Sequence, residues 1–266
     1  LGGQRLYEQG VEILFDPTQL STIGFIEAAK HFKLMYDKLN QLEAEIKRRQ
    51  PEAVFLIDYS YFNMKVAKRA AKLGVPIVDY FAPSAWVWGR WRAKKMAKYG
   101  VKIASVFPME AEVYREAGAE VEFVGHPLVE MVEPELSTSE VEEKFNLSLT
   151  DKQVIGILPG SREQEIDSLL PKMLTAAQQI QEQYPETEFL LPLAETISQT
   201  EIESEVSNYN LNINLLTGYS YEVMEAADVV LVASGTATLE AACLKTPMVI
   251  AYRTSWSTYL LGKLLV

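Results

Sequence analysis

Two short stretches of the chain place small residues and a hydroxyl between a buried apolar run and a helix-like segment. The first reads IGILPGSREQEI over residues 155–166, where Gly160, Ser161 and Arg162 form the junction. A helix N-terminus offers free N–H groups with partial positive charge, and an arginine guanidinium suits a phosphate. The stretch indicates a phosphate site, and a capped helix beside a surface arginine is the open alternative.

The second stretch reads VVLVASGTATLEAACL over residues 229–244. Ser234, Gly235 and Thr236 open its helix, and Glu240 stands four residues after Thr236, so these two side chains share a helix face. Hydroxyls and N–H groups can hold a diphosphate, and a carboxylate one turn later can hold a ribose diol. Ordinary Ser/Thr capping is again the alternative. Two such helix starts in one half of the chain favour a nucleoside diphosphate.

The first half of the chain carries a candidate base in LIDYSYFN, residues 56–63. Asp58 ends an apolar strand, where a carboxylate can act as a general base or simply as a turn residue. Asn63 could hydrogen-bond a sugar or cap the next helix. His126, in GHP after another predicted strand, could contact a phosphate or a sugar, whereas His31 is expected to be an ordinary helix residue.

A basic, aromatic stretch follows Pro83. Residues 90–102 contain no acid and six basic residues, and three tryptophans stand close by. This pattern suits an interfacial contact or an anionic lipid headgroup, and a solvated helix with core tryptophans is the alternative. The residues proposed for membrane or acceptor contact are Trp86, Trp88, Arg90, Arg92, Lys94 and Lys95.

Strands alternate with helices along the whole chain, which predicts parallel sheets covered on both faces. The acidic, polar stretch 130–150 predicts a domain connection leading into a short helix. We therefore expect an α/β protein of two Rossmann-like domains, 1–140 and 141–266. Ligands are expected at the carboxyl ends of the strands, in a cleft between the domains.

Composition narrows the function classes. The 266 residues carry a net charge of −11, so no nucleic-acid partner is expected. The single cysteine excludes an internal disulfide, and no apolar run reaches the length of a membrane span. The chain has no D-x-D pair to hold a metal on a diphosphate and no His/Cys cluster, so neither metal nor cofactor is expected.

These stretches, in this order, resemble the lipid-A-disaccharide synthase family, which are glycosyltransferases of the two-Rossmann GT-B type. The resemblance covers nearly the whole chain. It rests on IDYSYFN, PSAWVWGRWRAKKMAKY, FPMEAEVYREAGAEVEFVGHPL, LPGSREQEI and VASGTATLEAACLKTPMVIAYR.

The resemblance implies a reaction. The family transfers 2,3-diacylglucosamine from UDP-2,3-diacylglucosamine to the 6-hydroxyl of 2,3-diacylglucosamine 1-phosphate. The products are a β-1,6-linked lipid A disaccharide 1-phosphate and UDP. The family inverts the anomeric centre without a metal. It works in the cytoplasm, peripherally on the inner face of the inner membrane.

The resemblance also implies residue roles. Asp58 would deprotonate the acceptor, and Arg162 would stabilise the diphosphate beside the turn formed by Gly160 and Ser161. Ser234, Gly235 and Thr236 would hold the diphosphate and Glu240 the ribose, with His126 in a loop near the cleft.

Some positions depart from the family pattern. Ser60 and Tyr61 stand where the family commonly has proline and a second aspartate. The opening GExSGD-like loop and the later LPN-containing segment are absent, so we expect a fragment lacking material at both ends. Two alternatives stay open: a non-catalytic UDP-sugar or lipid-binding relic, and a UDP-sugar epimerase on the same fold.

Overall fold

The predicted alternation of strands and helices is present in the part of the chain that the structure describes. The computed structural model describes residues 2–16, 28–194, 197–254 and 263, with side chains of 28–32 outside the description. The chain divides into two compact units between His126 and Pro127. Each unit contains one parallel sheet.

The first unit is a four-stranded parallel sheet in the order β1-β2-β3-β4, with connecting helices. Each strand follows the previous one along the sheet, as right-handed βαβ crossovers give. Its elements are α1 (Gln4–Glu8), α2 (Ala28–Arg49), β1 (Val54–Ile57), α3 (Ser60–Lys72), β2 (Ile77–Tyr80), α4 (Trp91–Lys98), β3 (Val101–Ser105), α5 (Pro108–Glu116) and β4 (Glu120–Phe123).

One face of this sheet packs into a core, and the other is open in the part of the chain that the structure describes. Leu56, Ile77 and Ile103 are buried on the covered face. Phe55 and Ile57 alternate with Leu56 and are 59% and 53% exposed. The sequence predicted a buried first strand and two covered faces, so here the prediction was wrong for β1.

The second unit is a five-stranded parallel sheet in the order β7-β6-β5-β8-β9. Strands β5 and β6 are buried along their whole length, because helices lie on both of their faces. Its elements are α6 (Leu128–Met131), α7 (Thr138–Phe145), β5 (Val154–Leu158), α8 (Glu163–Gln183), β6 (Glu188–Leu193), α9 (Gln199–Val206), β7 (Ile213–Thr217), α10 (Ser220–Ala226), β8 (Val229–Ala233), α11 (Thr236–Cys243) and β9 (Met248–Ala251).

The sequence placed the boundary between residues 140 and 141, whereas the two units divide between His126 and Pro127. The short predicted helix is α7, and a capping box between Ser137 and Glu140 starts it. Val141 is fully buried in the core of the second unit, and the Glu135 N–H donates to the Glu222 carboxylate at 2.8 Å. These contacts attach the connecting stretch to the second unit.

The strand order of the second sheet fixes where a ligand site belongs. The chain runs outward from β5 through β6 to β7, then returns to place β8 on the other side of β5. Such a reversal leaves a crevice at the carboxyl ends of the two central strands. The turns after β5 and β8 are the two stretches that the sequence singled out.

Candidate functional site

The turn after β5 requires glycine and leaves the next helix without a side-chain cap. Gly160 has φ +117°, and a Cβ there would lie 2.5 Å from Oε2 and 2.9 Å from Cβ of Glu165. Helix α8 has Arg162 at its N-cap, with no side-chain cap bond. Ser161 therefore does not cap the helix, which was one of the two roles left open for it. Its exposed hydroxyl borders the helix start.

Arg162 extends into solvent from this turn. Its side chain is 80% exposed, and its Nη1 donates to Oε1 of Glu165 at 2.6 Å. An exposed pair of this kind contributes about 0.2–1 kcal/mol, so an incoming anion can replace the glutamate at little cost.

The turn after β8 has the same construction. The Ser234 N–H donates to the Ala251 carbonyl at 2.9 Å, and Gly235 is the N-cap of α11 without a side-chain cap bond. Ser234, Gly235 and Thr236 are all exposed. The Ser/Thr capping alternative is therefore not what the structure contains at this turn either.

Both turns line one cavity of 380 Å³ at the switch point of the second sheet. Gly160, Ser161 and Arg162 line it from one side. The opposite side consists of Ser234, Gly235, Thr236 and Glu240. The structure thus brings together all seven residues that the sequence proposed for a sugar nucleotide.

Glu240 is half-buried between this cavity and a neighbouring one. The Tyr221 hydroxyl donates to its Oε1 at 3.4 Å. Burial raises the pKa of Glu240, and the hydrogen bond from Tyr221 acts in the opposite direction. A partly desolvated carboxylate is suited to accept hydrogen bonds from a diol.

The neighbouring cavity, of 630 Å³, was not predicted. It is lined by the loop 218–219 after β7, by residues 217 and 220–222 on either side of that loop, and by Glu133, Glu135 and Glu240. Tyr219 in this loop packs edge-to-face on Phe145 at 5.2 Å, and the Lys144 ammonium lies 4.5 Å from its ring centre. The available signal was a third strand-to-helix turn with a glycine, Gly218, at φ +86°.

Asp58 follows β1 at the carboxyl end of the first sheet. Its side chain is exposed, and its N–H donates to the Tyr80 carbonyl at 3.1 Å. Asn63 is buried in α3, with its side-chain amide donating to the carbonyls of Ile57 and Asp58. Tyr59 rather than Asn63 is the N-cap of α3, so Asn63 does not cap that helix.

His126 lies at the same end of the first sheet, after β4. Its ring packs edge-to-face on Phe81 at 5.2 Å and tilted on Phe107 at 5.4 Å. Phe81 and Phe107 follow β2 and β3, so the histidine belongs to an aromatic group at the strand ends. His31, expected to be a helix residue, lies within α2.

The tryptophan-rich stretch is largely exposed. Trp86, Trp88 and Trp91 are 39%, 50% and 50% exposed, so they do not form the core that was the alternative. Arg90, Lys94 and Lys95 are exposed beside them. We call these six residues the Trp–Lys surface.

Arg92 differs from its neighbours because it is buried. Its guanidinium donates to the carbonyls of Ser84 and Trp88 and lies 4.2 Å from the ring centre of Trp88. It therefore supports the loop from inside, and the membrane or acceptor contact predicted for it is not favoured by this position.

The sequence analysis also missed two buried acidic residues in the first unit, Asp79 and Glu110. Asp79 in β2 is fully buried, and neither carboxylate oxygen has a hydrogen-bond partner among the described residues. Burial, then Glu110 and Asp58, raise the pKa of Asp79 to about 8. Glu110 accepts from the Ser105 hydroxyl at 2.8 Å and the Val106 N–H at 3.1 Å, and burial raises its pKa.

Neither a metal centre nor a membrane span is found in the described ranges. Residues 2–16, 28–194 and 197–254 contain no group of three His, Cys, Asp or Glu side chains placed to hold a metal ion. None of the helices in those ranges combines the length and apolarity needed to cross a bilayer.

The fold is shared with solved structures of sugar-nucleotide enzymes. UDP-GlcNAc 2-epimerase from Neisseria meningitidis, solved with UDP-GlcNAc, is similar in structure with a TM-score of 0.60 and 12% identity. The similarity covers 97% of this chain and 73% of that one. At this identity the likeness shows the fold alone, a GT-B fold with two α/β units.

The family follows from sequence comparison. The model of the lipid-A-disaccharide synthetase family matches residues 1–266. Lipid-A-disaccharide synthases of Nitrosococcus oceani and Geobacter metallireducens are 35% and 38% identical over the whole chain, which spans 68% and 69% of their lengths. The chain belongs to the lipid-A-disaccharide synthase family, and its enzyme class is that of the glycosyltransferases.

Proposed function

We propose that the protein transfers 2,3-diacylglucosamine from UDP-2,3-diacylglucosamine to the 6-hydroxyl of 2,3-diacylglucosamine 1-phosphate, with inversion at the anomeric carbon. The observation that carries the proposal is the cavity shared by the turns after β5 and β8. Family membership supports the lipid character of both substrates.

The donor is held by the second unit. Its diphosphate lies against the uncapped starts of α8 and α11, where the backbone N–H groups and the helix dipoles favour negative charge. Ser161, Ser234 and Thr236 donate hydroxyl hydrogen bonds. Glu240 accepts hydrogen bonds from the ribose diol. The uracil base binds in the adjoining cavity beside Tyr219, because the two cavities share Ser220 and Glu240.

Arg162 stabilises the leaving group. As the bond between the anomeric carbon and the UDP oxygen breaks, UDP keeps the electron pair and its diphosphate gains negative charge. The guanidinium exchanges Glu165 for this diphosphate and offers it two donors in a fixed plane. Charge that is stabilised more in the transition state than in the ground state accelerates the step.

Asp58 activates the acceptor in the first unit. Its carboxylate takes the proton from the 6-hydroxyl while that oxygen forms the new bond to the anomeric carbon. The disaccharide 1-phosphate and UDP are the products, and the proton remains on Asp58 until solvent removes it. His126 and its aromatic neighbours border the acceptor sugar at the same end of the sheet.

The Trp–Lys surface contacts the bilayer or the acceptor phosphate. Exposed tryptophans partition into the headgroup region, and lysines are attracted to anionic lipids. Local positive charge is needed because the chain as a whole is acidic, at −11. The enzyme would accordingly act as a peripheral protein on the cytoplasmic side of the inner membrane.

Product analysis tests the proposal. The protein of the full reading frame is incubated with both substrates and EDTA, and the products are analysed by mass spectrometry. A disaccharide 1-phosphate together with UDP is expected. UDP binding without any disaccharide would favour the relic, and a changed sugar without an acceptor would favour an epimerase.

A further inference from the structure

The turn that carries Asp58 has an unusual backbone. Asp58 and Tyr59 follow β1 with φ +49° and +44°, so two consecutive non-glycine residues are left-handed. L-residues avoid this region, and a bulky residue such as Tyr59 avoids it more than aspartate does. Strained turns of this kind persist only where neighbouring groups impose them, and they cluster at functional sites.

The Asn63 side chain is hydrogen-bonded to the backbone of this turn. Its Nδ2 donates to the Ile57 carbonyl at 3.1 Å and also to the Asp58 carbonyl. One amide group thereby fixes two successive peptide units on either side of the Asp58 Cα. The Tyr59 carbonyl, in turn, accepts from the N–H groups of Phe62 and Asn63, both at 3.1 Å.

The position of Asn63 argues against direct contact with a sugar. The residue is only 7% exposed, and both contacts of its amide nitrogen are to the backbone of the turn. The Asp58 side chain, by contrast, is exposed. Asp58 is therefore the residue that a substrate can reach, and Asn63 is the buried residue that contacts its backbone.

We propose that Asn63 is a positioning residue for the reaction, which holds Asp58 and Tyr59 left-handed so that the Asp58 carboxylate points at the acceptor hydroxyl. The inference rests on the proposed function of Asp58. A misplacement of about 1 Å at a reacting group can cost about 100-fold in rate, so the role has a measurable consequence.

The test is Asn63→Asp, which keeps the shape and, when ionised, replaces the donor with an acceptor that faces the Ile57 and Asp58 carbonyls. Asn208→Asp is the matched control, because its amide also donates to a backbone carbonyl, that of Ser204, in the second unit. We expect kcat to fall about 100-fold for Asn63→Asp, with KM for both substrates within about threefold. The control is expected to stay within about twofold of the wild-type kcat.

A second variant separates positioning from general damage. Glycine adopts positive φ without strain, so Tyr59→Gly in the Asn63→Asp background should recover about tenfold in kcat relative to Asn63→Asp alone. Should Asn63→Asp fail to fold in a thermal melt, Asn63→Ser is used in its place. It keeps one short donor, and a kcat loss of about tenfold is expected.

Two results would overturn the inference. One is a KM for the acceptor raised tenfold or more with kcat unchanged, which would make Asn63 a substrate contact. The other is a double variant no faster than the single one. Measuring Asp58→Asn in parallel keeps the two hypotheses apart. A wild-type rate for Asp58→Asn refutes the base and with it the positioning role, whereas a slow Asp58→Asn beside a wild-type rate for Asn63→Asp refutes the positioning role alone.

Discussion

Asp58 and Asp79 show how surroundings give the same side chain two different properties. Asp58 stands exposed after β1, whereas Asp79 stands inside β2 with no partner for either oxygen among the described residues. Asp58 directly follows the strand next to β2, since Leu56 in β1 pairs with Asp79 in β2. The first is available to a substrate, and the second affects the protein mainly through its protonation.

The buried Asp79 should make stability depend on pH. Its pKa is raised from 3.8 to about 8, mainly by burial, so between these values the folded state holds a proton that the unfolded state releases. This lowers the free energy of unfolding by about 1.4 kcal/mol per pH unit across that window. Asp79→Asn should therefore stabilise the protein, with a benefit that is small near pH 4 and largest above pH 8.

Urea unfolding of both proteins at pH 4, 6 and 8 checks this expectation. The test uses only how the difference in unfolding free energy between the two proteins changes with pH. The cost of burying an asparagine amide does not depend on pH, so it cancels from that change. A difference in unfolding free energy that does not vary with pH would refute the protonated Asp79.

At the scale of the elements, the site depends on turns rather than on helices or strands. Both α8 and α11 begin without a side-chain cap, and both follow central strands of one sheet. Uncapped helix starts leave backbone donors available, which costs stability and favours an anion. The turn before α8 depends most on Gly160, because its φ of +117° is one that other residues rarely adopt.

Gly160→Ala should weaken UDP binding about tenfold or more. The new Cβ would collide with the Glu165 side chain, so the turn and Arg162 must move. Gly74→Ala is the control, because Gly74 also has positive φ, +72°, but has open space around its Cβ. Calorimetry with UDP should show unchanged affinity for the control, and equal losses in both variants would contradict the role of the turn.

The sequence predicted the elements well because apolar runs and glycine stops are local signals. The predicted alternation of strands and helices corresponds to the series from β1 to β9 with its connecting helices. The diphosphate turns were found for the same reason. Asn63 and Asp79 were not understood, because their roles depend on a left-handed turn and on which sheet face is covered. Both are properties of packing.

At the scale of the whole molecule, charge is unevenly distributed. The chain carries a net charge of −11, yet every charged residue in 90–102 is basic. Lys95 lies 4.4 Å from the ring centre of Trp91, and both side chains are exposed. An aromatic and basic patch on an acidic protein favours one orientation at an anionic membrane.

Lys94→Gln/Lys95→Gln should weaken binding to vesicles of phosphatidylglycerol and phosphatidylethanolamine. Each lysine near such a surface contributes about 1 kcal/mol, so about 30-fold weaker partitioning is expected, with the loss disappearing on neutral vesicles. The control is Lys172→Gln/Lys245→Gln, which changes the net charge by the same amount at two exposed lysines of the second unit. Equal losses in the two double variants in a sedimentation assay would show that binding follows net charge alone.

The central claim is a division of labour, with Asp58 activating the acceptor and Arg162 binding the diphosphate. It is tested most directly by measuring turnover and UDP affinity together for Asp58→Asn and Arg162→Gln. For Asp58→Asn we expect kcat about 100- to 10,000-fold lower with UDP affinity unchanged, as loss of a general base predicts. For Arg162→Gln we expect UDP affinity about tenfold weaker or more. A wild-type rate for Asp58→Asn, or unchanged UDP binding for Arg162→Gln, would contradict this account.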